Sequence, residues 1–153
     1  DIIDASLNFF GINEITKIYK KSIVLNKYIN KEIGINIVSS YKRASNILSH
    51  ELNNKELEIS NSIDPVLFKS EYEKNLYKKI HELRKYFTSI NRDENYDLTL
   101  KNLADSKKVI FEFFDNVKVD DEDKTIKKNR LELLNLFCRT FDNYILFSSI
   151  ESL

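Results

Sequence analysis

The chain has 153 residues, of which 42% are hydrophobic and 31% are charged, and its 24 basic residues balance its 24 acidic ones. This composition is typical of a globular protein, and it excludes a disordered tail and a uniformly basic, histone-like nucleic-acid binder. We therefore expect residues 1–153 to form a single domain in which any RNA contact depends on a local patch of charge.

The sequence also predicts a location. No apolar run reaches the roughly 20 residues needed to cross a bilayer, and residues 1–4 (DIID) lack the basic start of a secretory signal. Cys138 has no second thiol with which to form a disulfide or a cysteine zinc site. We therefore expect a cytoplasmic protein with no membrane partner. Because the sequence contains no methionine and is helical in pattern from its first residue, we also expect it to be part of a longer protein.

Helices are predicted throughout, because two glycines and one proline are too few for a chain of tight β-turns. The spacing of the apolar residues predicts an all-α bundle of about six or seven helices. In chain order, the predicted helices cover residues 2–10, 13–28, 35–50, 71–90, 97–104, 106–117 and 124–149. The last of these has the broadest apolar face and is predicted to be the central packing element.

The boundaries between the helices carry local signals. Residues 53–62 are polar and are predicted to be a loop or a frayed insert. Asp64 and Pro65 form a start signal, because a carboxylate accepts free N-terminal amides while proline at the first helical position loses no hydrogen bond. Ser106 is a predicted cap, and the acidic residues 120–123 precede the last helix, where negative charge is favoured.

The residues that would carry catalysis or bind a metal are missing. Two isolated glycines do not make a phosphate-binding loop, and His50 and His81 lie 31 residues apart, with no second histidine four residues from either. Cys138 falls on an apolar face, where a thiol is usually inert. In the acidic run at 120–123, Lys124 stands where a calcium loop needs an oxygen ligand. We therefore expect no catalytic residue, no metal and no cofactor in this domain.

Charge is distributed unevenly along the chain. Residues 17–43 carry seven basic side chains against one acid, a net charge of +6, whereas residues 112–123 carry six acids against one lysine, a net charge of −5. Tyr19, Tyr28 and Tyr41 lie among the basic residues, and rings among cations are typical of surfaces that hold single-stranded RNA. The alternative is that the lysines cover solvated faces while the tyrosines belong to the core.

Several sequence blocks carry a resemblance to one family. The blocks are residues 41–48 (YKRASNIL), 63–68 (IDPVLF), 73–77 (EKNLY), 113–119 (FFDNVKV) and 129–134 (NRLELL), followed by Phe137 and Asp142. In this order they resemble the C-terminal anticodon-binding domain of the bacterial glycyl-tRNA synthetase beta subunit, which is of the helical DALR type. The chain departs from that family at Lys118, where methionine is typical, and in its polar insert. A similar domain ends arginyl-tRNA synthetases, but no Asp-Ala-Leu-Arg motif is present, so an arginyl enzyme is the second alternative.

The resemblance implies a function. It implies a C-terminal fragment of a larger synthetase subunit, acting as the non-catalytic tRNA-binding module of a glycine-tRNA ligase that uses ATP and Mg²⁺ to charge tRNA with glycine. The implied partners are tRNA-Gly, the catalytic alpha subunit and the other beta-subunit domains, in an alpha2beta2 heterotetramer. The alternative from another class is a helical scaffold that docks against other synthetase domains or other proteins without RNA contact.

The resemblance and the basic segment together select candidate tRNA contacts, in which cations reach phosphates and an amide reads a base edge. The candidates are Lys42, Arg43, Asn46, Lys20, Lys21 and Tyr41. Two of them have structural alternatives, since Asn46 can cap or cross-link helices and Arg43 can pair with an acid near Asp115 or Asp120.

Asn129 and Arg130 are candidates for either a structural role or a tRNA contact. Because Arg130 follows four acids and precedes an apolar face, structural pairing is the favoured interpretation for it.

Overall fold

The computed structural model describes residues 32–53, 58–89, 101–102 and 104–142. Within these ranges the fold is all-α, without a strand. Its elements are α1 (Glu32–Asn53), a 3-10 turn (Pro65–Leu67), α2 (Glu71–Ser89), α3 (Lys107–Asn116) and α4 (Lys124–Asp142). The described residues contain four helices, whereas six or seven were expected for the whole chain. The helices predicted over residues 2–10 and 13–28 lie outside the described ranges. Residues 97–100 of the helix predicted over 97–104 also lie outside them, and the described residues of that helix are helical.

The last helix, α4, is the central packing element, as its apolar face predicted. It contacts α1, α2 and the 3-10 turn, while α3 closes the bundle against α1 and α2. Burying each of its large apolar side chains contributes roughly 1.5–3 kcal/mol. The fully buried ones on α4 are Leu131, Leu133, Leu134, Phe137 and Phe141. None of the described helices combines the length and the apolar character that crossing a membrane requires.

Each of the other helices presents one apolar stripe to this core. On α1 the stripe recurs every three or four residues, so that one side of the helix is buried and the other is left to solvent. Its members are Ile37, Val38, Tyr41, Ala44 and Leu48. The corresponding residues of α2 are Leu76, Ile80 and Leu83. This division leaves the polar side of α1, with Arg43 and Asn46, on the surface.

Side-chain caps fix where α2 begins. The backbone N–H of Ser70 donates to Glu73 Oε2 at 2.8 Å, and the N–H of Glu73 donates to Ser70 Oγ at 3.3 Å, which is a reciprocal capping box. Asp64 instead caps the 3-10 turn, accepting from the N–H of Val66 at 3.0 Å. The predicted cap at Ser106 is wrong, because its side chain makes no capping hydrogen bond to α3 and its backbone is itself helical.

Part of the predicted polar insert is a fixed loop. Glu132, on α4 and only 1% exposed, accepts hydrogen bonds from Ser60 Oγ at 2.8 Å and from the N–H of Asn61 at 2.8 Å, and also from the N–H of Ser60. Asn61 adopts a φ of 59°, in the left-handed region that asparagine tolerates better than most residues. Just beyond it, Asn129 bonds the backbone of Asp64 in both directions, accepting from N–H at 2.8 Å and donating to C=O at 3.0 Å. The loop is therefore held against α4 at three residues.

Candidate nucleic-acid interface

The outer side of α1 places Arg43 and Asn46 one turn apart, both exposed. The guanidinium of Arg43 lies 4.7 Å from the ring centroid of Phe114, and its Nη2 donates to the Phe114 carbonyl at 3.4 Å. Stacking on the ring restrains the side chain while leaving most of its N–H groups open to solvent. Within the described residues Arg43 has no carboxylate partner, so the ion pair considered with Asp115 or Asp120 is not formed there.

These two side chains line one groove, here called the α1 groove, with a volume of about 450 Å³. The α1 wall is formed by Arg43, Asn46, Ile47, His50 and Glu51, and the facing wall by Phe114 and residues 117–120. A guanidinium for phosphate and an amide for a base edge therefore meet in one concave site.

The two acids at the far end of the α1 groove share one cation, Lys127. Lys127 Nζ lies 2.9 Å from Glu51 Oε2 and 2.9 Å from Asp120 Oδ1. The hydrogen bond from Lys127 lowers the pKa of Asp120, and the bonds to Glu51 and Asp120 raise the pKa of Lys127. Because this trio is internally paired, the end near Arg43 is the more cationic part of the groove.

The remaining predicted contacts of the basic segment are placed differently. Lys42 is half-buried beside Arg43 on α1. Tyr41 is 3% exposed, and its hydroxyl donates to the carboxylate of Asp142 at 2.9 and 3.0 Å. The proposed role of Tyr41 as a base-stacking ring is therefore corrected, since the apolar stripe of α1 turns it into the core. Lys20 and Lys21 lie outside the described residues.

Asn129 and Arg130 make structural contacts. Arg130 Nε donates to Glu73 Oε1 at 2.8 Å, and its Nη1 donates to the carbonyl of Lys118 at 2.9 Å and to Asp121 Oδ2 at 2.7 Å. Asn129 is 4% exposed and bonds the backbone of Asp64. Arg130 thus pairs with one of the acids that precede α4, as its position in the sequence predicted.

A second groove was not anticipated from the sequence. It lies between α2, α4 and residues 61–63, has a volume of about 460 Å³, and is here called the α2–α4 groove. Three of its lining side chains are basic or imidazole groups, namely His81, Arg84 and Arg139. A signal for it does exist: Tyr77, His81 and Arg84 recur at helical spacing on α2, beside its apolar stripe.

The described residues offer neither a metal cluster nor a reactive thiol. No group of three or more His, Cys, Asp or Glu side chains is placed to hold a metal ion in that part of the chain. Cys138 is buried, and this burial raises the pKa of its thiol to about 12.

Comparison with known proteins agrees with this arrangement. The chain matches the DALR anticodon binding domain over residues 37–147. It is 33% identical over 123 residues to the "Glycine--tRNA ligase beta subunit" of Rickettsia typhi, covering 80% of this chain and 18% of that protein. It is 34% identical over 126 residues to the protein of the same name from Rickettsia bellii, covering 82% and 18%. The chain therefore spans about a fifth of these relatives' length. Because the family match over residues 37–147 includes all of the four described helices except the first five residues of α1, this chain belongs to the DALR anticodon-binding domain family.

Proposed function

We propose that the chain binds the anticodon arm of tRNA-Gly as a non-catalytic module of a glycine-tRNA ligase beta subunit. The observation that carries the proposal is the α1 groove, in which Arg43 and Asn46 are exposed together inside the region that matches the family. The names of the relatives support the choice of glycine over arginine as the amino acid of the parent enzyme.

The electrostatics of the groove support contact with phosphate. A guanidinium that stacks on a ring and has no carboxylate partner among the described residues keeps its charge and its donors for a ligand. The basic segment of the sequence ends at this position, with a net charge of +6 over residues 17–43. Arg43 and Asn46 in this groove, with the neighbouring half-buried Lys42, are the contacts that we propose to test first.

The proposal extends to the parent enzyme. In this proposal the parent enzyme uses ATP and Mg²⁺ to charge tRNA with glycine, and ATP and Mg²⁺ are both bound outside this domain. The alpha subunit and the other beta-subunit domains are its partners in an alpha2beta2 heterotetramer in the cytoplasm. In this arrangement the present chain positions the tRNA and takes no part in the chemical step.

The test is a titration of the full chain with tRNA-Gly and with an anticodon stem-loop at two salt concentrations, about 50 and 200 mM. Binding through several phosphates is expected to weaken steeply with salt, since each phosphate contact releases condensed counterions. The variant Lys42→Ala/Arg43→Ala is expected to lose much of the affinity and to flatten the salt dependence.

A matched control keeps the change in net charge equal. Lys78 and Lys124 are exposed on α2 and α4 and line neither groove. The variant Lys78→Ala/Lys124→Ala should therefore bind almost as the unchanged protein does. An affinity that does not change with salt concentration, or that the Lys42→Ala/Arg43→Ala substitution does not lower, would instead favour the alternative of a docking domain without RNA contact.

A further inference from the structure

We infer that the α2–α4 groove binds a phosphodiester group of single-stranded RNA, as a second RNA contact separate from the α1 groove. The inference rests on the proposed function, because it takes RNA as the ligand of the chain. No residue lines both grooves, so the two contacts can be tested independently.

The cations of this groove come from two facing helices. Arg84 lies on α2 and Arg139 on α4, and the imidazole of His81 also lies on α2. Within the described residues Arg84 makes no hydrogen bond and no ion pair, and Arg139 has no carboxylate partner. Two guanidinium groups that line one concave site repel each other, and a bound anion lowers that repulsion.

The one carboxylate among the lining residues is already engaged. Glu132 lines the groove while only 1% exposed, and its two oxygens accept hydrogen bonds from Ser60 and Asn61. Its acceptor capacity is thereby directed toward the loop and away from the arginines. The lining therefore carries two guanidinium cations against one hydrogen-bonded carboxylate, and this excess of positive charge favours a phosphate.

Arg139 is positioned by a hydrogen bond to Asn61. Asn61 Oδ1 accepts from Arg139 Nη1, and also from Asn135 Nδ2 at 2.9 Å. Asn61 is itself held in its left-handed conformation by Glu132. A buried carboxylate thus fixes the loop, and the loop fixes the guanidinium. This restraint lowers the entropy that Arg139 loses when it binds.

The α2 wall is restrained in the same way. The ring of His81 lies 4.4 Å from the ring of Tyr77 in an edge-to-face arrangement, and Tyr77 packs in turn on Phe68 at 5.4 Å. The imidazole is therefore held at the groove edge as an additional hydrogen-bonding group.

Size and chemistry together select the ligand. A volume of about 460 Å³ lies in the range of small-ligand pockets and accommodates a phosphate with its sugar. The guanidinium fork matches phosphate oxygens in a bidentate geometry. An unpaired RNA strand presents such a group without the bulk of a second strand, so a loop or an end of a folded RNA fits better than a duplex.

The experiment compares four proteins as full chains: the unchanged chain, Arg84→Ala/Arg139→Ala, the single variant Arg84→Ala, and the control Lys78→Ala/Lys124→Ala. The probes are tRNA-Gly, a short single-stranded RNA and inorganic phosphate. We expect the double arginine variant to bind both RNAs about tenfold more weakly or worse. Its salt slope should fall by about 0.7 to 0.9 for each phosphate that the protein no longer neutralises. The single variant should show part of this loss, and the lysine control should show little.

A positioning variant tests the support of Arg139. Asn61→Gly retains the backbone conformation but removes the side-chain acceptor, so RNA affinity should fall while the urea midpoint changes little. Since Arg84 has no partner within the described residues, Arg84→Ala removes only its charge and donors and keeps the inference testable if the double variant is unstable.

Three results would overturn this inference alone. The first is unchanged RNA affinity in both arginine variants while the unchanged chain binds tRNA-Gly; this leaves the proposed function intact and removes the second contact alone. The second is a loss equal to that of the lysine control, which indicates a nonspecific effect of charge. The third is a loss of inorganic phosphate binding without a loss of RNA binding, which indicates a site for small anions. An unchanged chain that binds no RNA at all would remove both proposals.

Discussion

Arg130 Nε and Glu73 Oε1 lie 2.8 Å apart, with Glu73 fully buried and Arg130 8% exposed. The pair joins the start of α2 to the middle of α4, and the remaining donors of Arg130 hold the loop before α4 through Lys118 and Asp121. Glu73 also accepts from the backbone N–H of Lys69 at 2.9 Å. One ion pair therefore fixes the relative positions of three segments of the bundle.

Arg130→Ala is expected to destabilise the fold strongly, because it leaves the carboxylate of Glu73 buried without its cation. Removing one partner of a buried pair typically costs about 3–5 kcal/mol. Urea denaturation measures the loss, and Lys124→Ala, an exposed change on the same helix, should stay within about 0.5 kcal/mol of the unchanged chain. A loss from Arg130→Ala as small as that of the control would contradict a structural role for the pair.

Tyr41→Phe separates stability from RNA binding. The substitution removes the hydroxyl that donates to Asp142 and keeps the buried ring, so we expect a loss of about 1 to 2 kcal/mol in unfolding free energy. RNA affinity in a salt titration should not change, whereas Arg43→Ala should lower affinity with little effect on stability. Weaker RNA binding by a fully folded Tyr41→Phe protein would mean that Tyr41 does reach the ligand.

The ionised carboxylate of Asp121 should stabilise the fold at neutral pH and lose this effect in acid. The hydrogen bond from the N–H of Asp123 lowers the pKa of Asp121 below its ordinary value of 3.8, and the bond from Arg130 lowers it further. A carboxylate with a depressed folded-state pKa stabilises the fold above its unfolded-state pKa, and the contribution is lost as pH falls through the folded value. Asp121→Asn should therefore unfold at lower urea than the unchanged chain at neutral pH, and the gap should close below about pH 3.8.

The neighbouring exposed acid supplies the control for this pH series. Glu122→Gln changes the same formal charge in the same loop, at a side chain that is exposed. Its urea midpoint should follow that of the unchanged chain at every pH. A gap for Asp121→Asn that persists unchanged into acid would show that the ionised carboxylate is not the stabilising group.

Cys138 should resist thiol reagents in the folded protein. Burial raises its pKa to about 12, so at pH 8 only roughly one molecule in 10⁴ carries the thiolate, and the sulfur is also shielded from the reagent. Labelling with a chromogenic disulfide is expected to be slow in buffer and fast in urea. The variant Cys138→Ser/Ser39→Cys moves the thiol to an exposed position of α1 and should react quickly without denaturant. Equally fast labelling of the unchanged chain would contradict the buried placement.

The helical fold was predictable from the sequence because its signal is local. Apolar residues at helical spacing placed α1, α2, α3 and α4 close to their observed positions. The capping box of Ser70 and Glu73 was not predicted, although serine followed three residues later by glutamate is its usual pattern. The predicted cap at Ser106 failed because a serine before a helix need not adopt the extended backbone that a cap requires.

The candidate site was only partly predictable, because it depends on contacts between distant segments. The positions of Arg43 and Asn46 on one face of α1 could be predicted from their spacing. The contact between Arg43 and Phe114 could not, because 71 residues separate them in the sequence. Tyr41 was misassigned because a tyrosine among lysines has the same local pattern whether its ring is buried or exposed. The α2–α4 groove depends on Arg84 and Arg139 lining one site from two different helices and on a loop held by Glu132. Neither relation can be predicted from the spacing of residues along one helix.

The fastening of Ser60, Asn61 and Asp64 to α4 has a consequence for how related domains diverge. Since the chain is tied to the bundle from Ser60 onward, its path there does not depend on how many residues separate that point from the end of α1. Doubling the length of such a connection adds only about 0.6 kcal/mol of closure entropy. Insertions and deletions between Asn53 and residue 58 should therefore accumulate freely among homologues, while an insertion or deletion of even one residue between Ser60 and Asp64 should be rejected.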